Sequence, residues 1–388
     1  MQPAKRLQNL PPYVFARLGK RIRKLQSEGK DIIRLDIGAP DMPPADFIIE
    51  ALNRSAKDPS KHSYAGYTGT PQLRSALAQY YKNRFDVDLN PDDEVLPLIG
   101  SKEGIANMAL AYLDPGDLAV VPDPGYPTYR MGARLAGAET YHMPLLPENN
   151  FLPDLDAIPD DVADRARLMW ISYPNNPTGA VATLEFFEKA LDFARRHDIL
   201  LCHDAPYVDV TYDGYKAPSL LQVPGAKEVA VEFNSLSKSY NMAGWRVGAI
   251  LGNSQAVQAL LQVKSNIDSG IFLPIQEAAV VALTGDQSWL ADRNAIYQKR
   301  RDMILETLKE VGIEARKPQA TLYIWAKVPE GYTSEEFANE WLEGIGVSVT
   351  PGSAFGDYGE GFVRISVGQH TEKIEQALER IRSWKPSR

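Results

Sequence analysis

Between about residue 100 and residue 250 the chain alternates short apolar runs with longer stretches of helical periodicity, and that alternation admits few folds. The runs are LAVVP (Leu118 to Pro122), RLMWISYP (Arg167 to Pro174), ILLCHDAPY (Ile199 to Tyr207) and VAVEFNSLS (Val229 to Ser237). Between them lie segments such as LEFFEKALDFARRHD, whose apolar residues recur at helix spacing. Nearly continuous apolar strands separated by amphipathic helices build a mostly parallel sheet covered on both faces. After Gly312 the texture changes: ATLYIWAKV, VSVTPG and FVRISVG read as short strands among helices that include SEEFANEWLEG. An α/β architecture follows, with a large sheet domain and a smaller α+β companion, since 388 residues exceed one undivided core. The expected division is an N-terminal segment, 1–47, packing with the small domain, a large domain over 48–285, and a small domain over 286–388.

Composition narrows the function. With 44% hydrophobic and 24% charged residues, and no run near the roughly 18 apolar residues of a membrane span, a water-soluble protein is expected. The basic start lacks the apolar core and small-residue cleavage site of a secretory signal, so a cytoplasmic location is expected. A single cysteine, Cys202, excludes an intrachain disulfide, and the five histidines are too scattered for metal-ligand spacing; no metal is expected. A net charge of -8 argues against a nucleic-acid binder, and the basic stretch Lys20 to Lys24 reads as a solvated helix face.

The chemistry concentrates in Asn234-Ser-Leu-Ser-Lys-Ser-Tyr-Asn-Met-Ala-Gly-Trp-Arg-Val-Gly248, where an apolar strand runs into small hydroxyl residues, then Lys238, then Arg246. A lysine that forms an imine must be neutral part of the time, which needs desolvation or neighbouring cations to lower its pKa. Arg246 could supply such a charge while gripping a phosphate, and Ser235 and Ser237 add hydroxyl donors. Taken alone, a loop lysine is an ordinary solvated charge.

Its neighbours lift it above that. The segment resembles the lysine motif of the class I/II, fold-type I, pyridoxal-phosphate aminotransferases, and further motifs of that family follow in order from about Gly38 to Gly368. The resemblance implies a mostly parallel seven-stranded sheet sandwiched by helices, a small domain built from both termini, and bound pyridoxal 5'-phosphate with Lys238 as its covalent anchor and proton shuttle. Tyr173-Pro-Asn-Asn-Pro-Thr-Gly179 is similar to the family's NPTG turn and assigns Asn176 to the cofactor's phenolic oxygen; outside the family it would be a Pro/Gly turn. Asp204, at the end of ILLCHDAPY, falls where the family sets a carboxylate against the pyridine nitrogen, and Tyr207 where it sets a second donor to the phenolic oxygen. An isolated strand-end Asp would be a cap.

Ile99-Gly-Ser-Lys-Glu-Gly104 leads a Gly-Ser turn into a helical run, and unpaired N–H groups at a helix start favour an anion. The resemblance gives Ser101 and Lys102 to the phosphate, and gives Tyr126, in Pro122-Asp-Pro-Gly-Tyr-Pro-Thr-Tyr129, to the cofactor face. Arg364, in Phe362-Val-Arg-Ile-Ser-Val-Gly368, would clamp the substrate α-carboxylate, with the Gly38 backbone as a second donor. Tyr64 would reach the phosphate of a neighbouring subunit, which implies a homodimer.

Within the class, LIGSKEGIANMALAYLDPGD, VPDPGYPTYR, SNIDSGIF and LYIWAKVPEGYTSEEFA resemble bacterial L,L-diaminopimelate aminotransferases, which implies transamination between that diamino acid and 2-oxoglutarate in lysine biosynthesis, with Lys102, Tyr126 and Asn176 also facing substrate. Specificity for aspartate, alanine or aromatic amino acids on the same scaffold, and C–S lysis with the same cofactor, are the alternatives. The string Ser235-Leu-Ser-Lys238 also matches the S-x-x-K of acylating hydrolases, but no K-T-G or S-D-N accompanies it.

Overall fold

The computed structural model describes residues 1–4, 7, 10 and 14–386. A short strand, β1 (Ile33–Arg34), precedes the seven of the main sheet: β2 (Val95–Leu98), β3 (Leu118–Asp123), β4 (Glu139–Pro144), β5 (Ala166–Ile171), β6 (Leu200–Asp204), β7 (Ala230–Ser235) and β8 (Gly248–Gly252). Their spatial order is β2-β8-β7-β6-β5-β3-β4, and only β8 runs against its neighbours. The mostly parallel seven-stranded sheet is the one expected.

Alternation along the strands divides two apolar layers. Leu168 and Trp170 of β5, Leu200 and Cys202 of β6 and Ile250 of β8 pack under the helices Ser101–Tyr112, Thr128–Ala136 and Ser254–Lys264. Met169, Ile171, Leu201, Ala249 and Leu251 face the helices Pro71–Phe85, Leu184–Arg196 and Leu273–Thr284 on the other side. The period of two that puts successive side chains on opposite faces therefore produces a three-layer sandwich.

The strand ends are shorter than the apolar runs suggest. β5 stops at Ile171, ahead of Pro174, and β6 stops at Asp204, ahead of Pro206, because proline brings no N–H to a ladder. β7 ends at Ser235 and not at Ser237: Ser235 Oγ accepts from the Ser237 N–H at 3.3 Å and caps a helical turn, Leu236–Ser239. Lys238 thus sits on a capped turn and not on an open loop.

The C-terminal part carries β9 (Tyr323–Lys327), β10 (Val347–Ser348), β11 (Thr350–Pro351) and β12 (Phe362–Ser366). β11, β12 and β9 form an antiparallel sheet, and β1 pairs parallel with β10. Helices Trp289–Glu310 and Thr371–Ser383 bury Ile304, Leu308, Ile374 and Ile381 against this group. The helix expected around SEEFANEWLEG spans Ser334–Glu340 and widens to a π-helical turn at Trp341–Ile345. Opposite it, the basic helix Val14–Ser27 pairs Arg17 with Glu335 and Arg21 with Glu343.

Arg300 ties the segment after β1 to the long helix. Its Nη1 and Nη2 meet Asp41 Oδ1 and Oδ2 at 2.8 and 3.0 Å, and both side chains are buried. Removing one member of such a pair strands the other charge, so Asp41→Ala lowers stability by about 3–5 kcal/mol in urea denaturation. Asp41→Asn, which keeps an acceptor, costs less.

Candidate active site

All parallel strands point their carboxyl ends to one edge, and the strand order reverses between β3 and β5, the place where open α/β sheets leave a crevice. A cavity of about 460 Å³ lies there. Twelve expected site residues line it: Gly38, Ser101, Lys102, Tyr126, Asn176, Asp204, Tyr207, Ser235, Ser237, Lys238, Arg246 and Arg364. Tyr64 does not; it is 89% exposed on the surface of this chain.

Lys238 is at the centre. Its Nζ donates to the Gly38 carbonyl and lies 6.0 Å from the Tyr207 ring centre. Burial, then the positive charges of Arg364 and Arg246, pull its pKa from 10.5 to about 7. Arg246 was the cation expected from the sequence; Arg364, from β12, acts more strongly. Gly38, expected to contribute a backbone donor, here contributes its carbonyl, which also accepts from Tyr323 Oη at 3.3 Å.

Asp204, from the adjacent strand, is shifted in the opposite direction. Burial pushes its pKa up to about 6, against the favourable hydrogen bond from Tyr129 Oη to Oδ2 at 2.6 Å. Its Oδ1 is buried, and among the described residues no partner reaches it. An orphaned buried carboxylate oxygen calls for a donor from a ligand.

At the opposite end, Gly100 (φ 74°) precedes the helix Ser101–Tyr112 and takes a left-handed backbone. A Cβ there would run into the Arg246 guanidinium, and one at Gly248 would lie 2.6 Å from the Ser101 nitrogen. Helix start and guanidinium are thereby brought together, a combination suited to a phosphate. On the side formed by β12, Arg364 Nη1 donates to Asn176 Oδ1 at 2.8 Å and Nη2 to the Asp36 carbonyl at 3.0 Å, with the Tyr323 ring 4.2 Å away. Fixing Oδ1 leaves the Nδ2 end of Asn176 as its donor toward a ligand. Tyr207 Oη pairs with Tyr323 Oη at 2.7 Å.

Residues 30–381 match the family described as aminotransferase class I and II. A protein of Moorella thermoacetica named LL-diaminopimelate aminotransferase is 53% identical over 382 residues, 98% of each chain. A second of that name, from Dehalococcoides mccartyi, is 51% identical over 99% of each. The chain belongs to the class I and II aminotransferases. Substrate-bound BacF from Bacillus subtilis superposes with a TM-score of 0.95 at 38% identity, covering 99% of this chain and 98% of that one. Aspartate aminotransferase from Thermus thermophilus with maleate gives 0.92 at 30%, covering 99% of each.

The aminotransferase family depends on pyridoxal phosphate, and this donor set fits it: an orphaned Asp204 oxygen for a protonated ring nitrogen, a depressed amine at Lys238, and the Ser101 helix start beside Arg246 for the phosphate. Sequence reasoning missed Tyr129 and Tyr323. Tyr129 stood at the end of the string that singled out Tyr126, but its bond to Asp204 spans 75 positions. Tyr323 lay inside an ordinary apolar strand.

The depressed amine sets a pH test in the cofactor-free aminotransferase. Between about 7 and 10.5 the unfolded chain binds the proton that folded Lys238 has lost, so stability rises with pH across that window and the penalty is complete below it. Lys238→Met therefore stabilises the cofactor-free protein by about 1–3 kcal/mol at pH 6, the cavity keeping part of the amine hydrated, and the gain fades toward pH 10.5. Denaturant titrations of both proteins across pH measure it; a pH-independent difference would contradict the assignment.

Proposed function

We propose that the chain catalyses ping-pong transamination between L,L-diaminopimelate and 2-oxoglutarate, with pyridoxal 5'-phosphate bound through Lys238, in the route to lysine. The observation that carries the chemistry is the enclosed, depressed amine of Lys238 set between Asp204 and Arg364. The choice of amino acid is supported by full-length relatives of that name at 50–53% identity.

When bound, the cofactor supplies a sink for the electron pair left as the substrate Cα–H bond breaks. The chain's residues do the rest. Asp204, its carboxylate oriented by the Tyr129 bond to Oδ2, would use Oδ1 to accept from the ring nitrogen and keep it protonated. Asn176 Nδ2 and Tyr207 Oη would donate to the phenolic oxygen, and Tyr126 would cover the ring face. Ser101, Lys102, Ser235, Ser237 and Arg246 would hold the phosphate. Arg364 clamps the α-carboxylate with the backbone of Gly38 beside it, a placement that aligns the Cα–H bond with the Lys238 amine. Lys238 Nζ would hold the cofactor and, once freed by the substrate amine, would serve as the base that takes the proton from the substrate Cα and as the acid that returns it. A pKa near 7 leaves much of that amine neutral, as a general base at neutral pH requires.

The same reading makes the enzyme a cytoplasmic homodimer in which Tyr64 of one subunit reaches the phosphate of the other. Exposure of Tyr64, Tyr67, Ile267 and Phe272 supports it. It also treats 1–47 with 286–388 as one unit that carries Arg364 toward 48–285. Among the described residues no helix is long and apolar enough to cross a membrane.

Lys238→Ala is expected to remove the visible absorption of lysine-bound cofactor and to lower turnover by at least about a thousandfold. Retention of both would defeat the chemistry proposed. With 2-oxoglutarate as acceptor, a panel of L,L-diaminopimelate, aspartate, alanine and tyrosine should favour the first. Turnover of aspartate or tyrosine with none of diaminopimelate would overturn the substrate.

A further inference from the structure

Arg34 and Asp36 stand two residues apart on the extended segment that starts with β1, so their side chains share a face. Their ion pair is bidentate, Nε to Oδ1 and Nη2 to Oδ2 at 2.6 Å each. Asp36 is 5% exposed, Arg34 29%, and both line the cavity that holds Lys238 and Arg364. The segment is fixed on both sides: the Leu35 N–H donates to the Ser348 carbonyl at 2.9 Å, and the Ser366 N–H donates to the Leu35 carbonyl at 2.7 Å. The Asp36 carbonyl accepts from Arg364 and from Thr350 Oγ1 at 3.3 Å. The pair is therefore held beside the guanidinium assigned to the α-carboxylate.

Such a pair contributes little to stability that apolar residues of similar size would not. It does present a fixed positive and a fixed negative group to the cavity. We propose that Arg34 and Asp36 recognise the distal amino-acid group of the substrate, with Asp36 accepting from the distal ammonium and the outer N–H groups of Arg34 donating to the distal carboxylate. This rests on the diaminopimelate reading above and names the residues that enforce it.

The charge arithmetic explains how one pocket serves both half-reactions. L,L-Diaminopimelate ends in an ammonium and a carboxylate, which complement Asp36 and Arg34. The dicarboxylates of the other half-reaction lack that ammonium. Toward them the Asp36 charge stays compensated by Arg34, and their distal carboxylate meets the outer face of Arg34 together with Lys102 on the same cavity. An apolar distal end would desolvate the pair and return nothing, which is how a polar site rejects an analogue lacking its partner groups.

The decisive comparison uses L,L-diaminopimelate and L-2-aminopimelate, which differ only in the distal amine. The cofactor-loaded wild type should prefer the diamine in kcat/KM, and Asp36→Asn should cut that preference about tenfold or more, with the loss mainly in KM. The double variant Arg34→Met/Asp36→Leu, which removes both charges and leaves no stranded partner, should abolish the preference. It carries the test if Asp36→Asn fails to fold. A preference that survives in the folded variants overturns this inference and leaves the diaminopimelate reading standing. A wild type that turns over aspartate or tyrosine but neither pimelate overturns that reading first.

Discussion

Asp204 ends β6 and Lys238 sits on the capped turn that follows its parallel neighbour β7, where burial penalises the charge on each. One responds by a falling pKa and the other by a rising one, so both titrate within reach of neutrality. Neither could be held there by a loop. The Asp204 carboxylate is braced by Tyr129, whose ring stacks on Trp170 at 5.1 Å and whose own hydroxyl is pushed well above its ordinary pKa by burial, so it stays a donor. The site is thus a consequence of the apolar layer beneath it.

The reverse face of the same strands carries a second polar group. His203 alternates with Asp204 and points away from the cavity, where its Nδ1 meets Glu232 Oε2 at 2.8 Å. Glu232 is completely buried yet also accepts from Tyr81, from Ser219 and from the Leu220 N–H. His203 Nε2 lies 2.9 Å from the Tyr173 carbonyl, at the start of the turn that presents Asn176. A buried network satisfied at this many points stiffens the strand ends that the cavity depends on.

Much of this was legible in the chain. Apolar runs separated by helical periodicity gave the sheet, and the strings around Asn176, Asp204, Lys238 and Arg364 gave the inner surface of the cavity, because each is a local signal at the end of a strand. Boundaries were less legible. The expected extension of β7 through Ser237 ignored that Ser235 caps a helical turn, and a proline two or three residues beyond β5 and β6 ends pairing earlier than apolarity suggests. The sequence offers Arg246 as the cation acting on Lys238 because it is near in the chain, whereas Arg364, 126 positions beyond Lys238, acts more strongly through space.

By itself the sequence determined the alternation that makes a parallel sheet, the residue types a phosphate and an imine-forming lysine need, and the family. Those depend on periodicity and on short motifs, which are written locally. Only the tertiary structure decided that Tyr129 braces Asp204, that Tyr323 joins Tyr207 and Gly38, that Arg34 and Asp36 open onto the cavity of Lys238, and how far each pKa moves. Desolvation and Coulomb interaction depend on distance and burial in space, and strands distant in the chain set both.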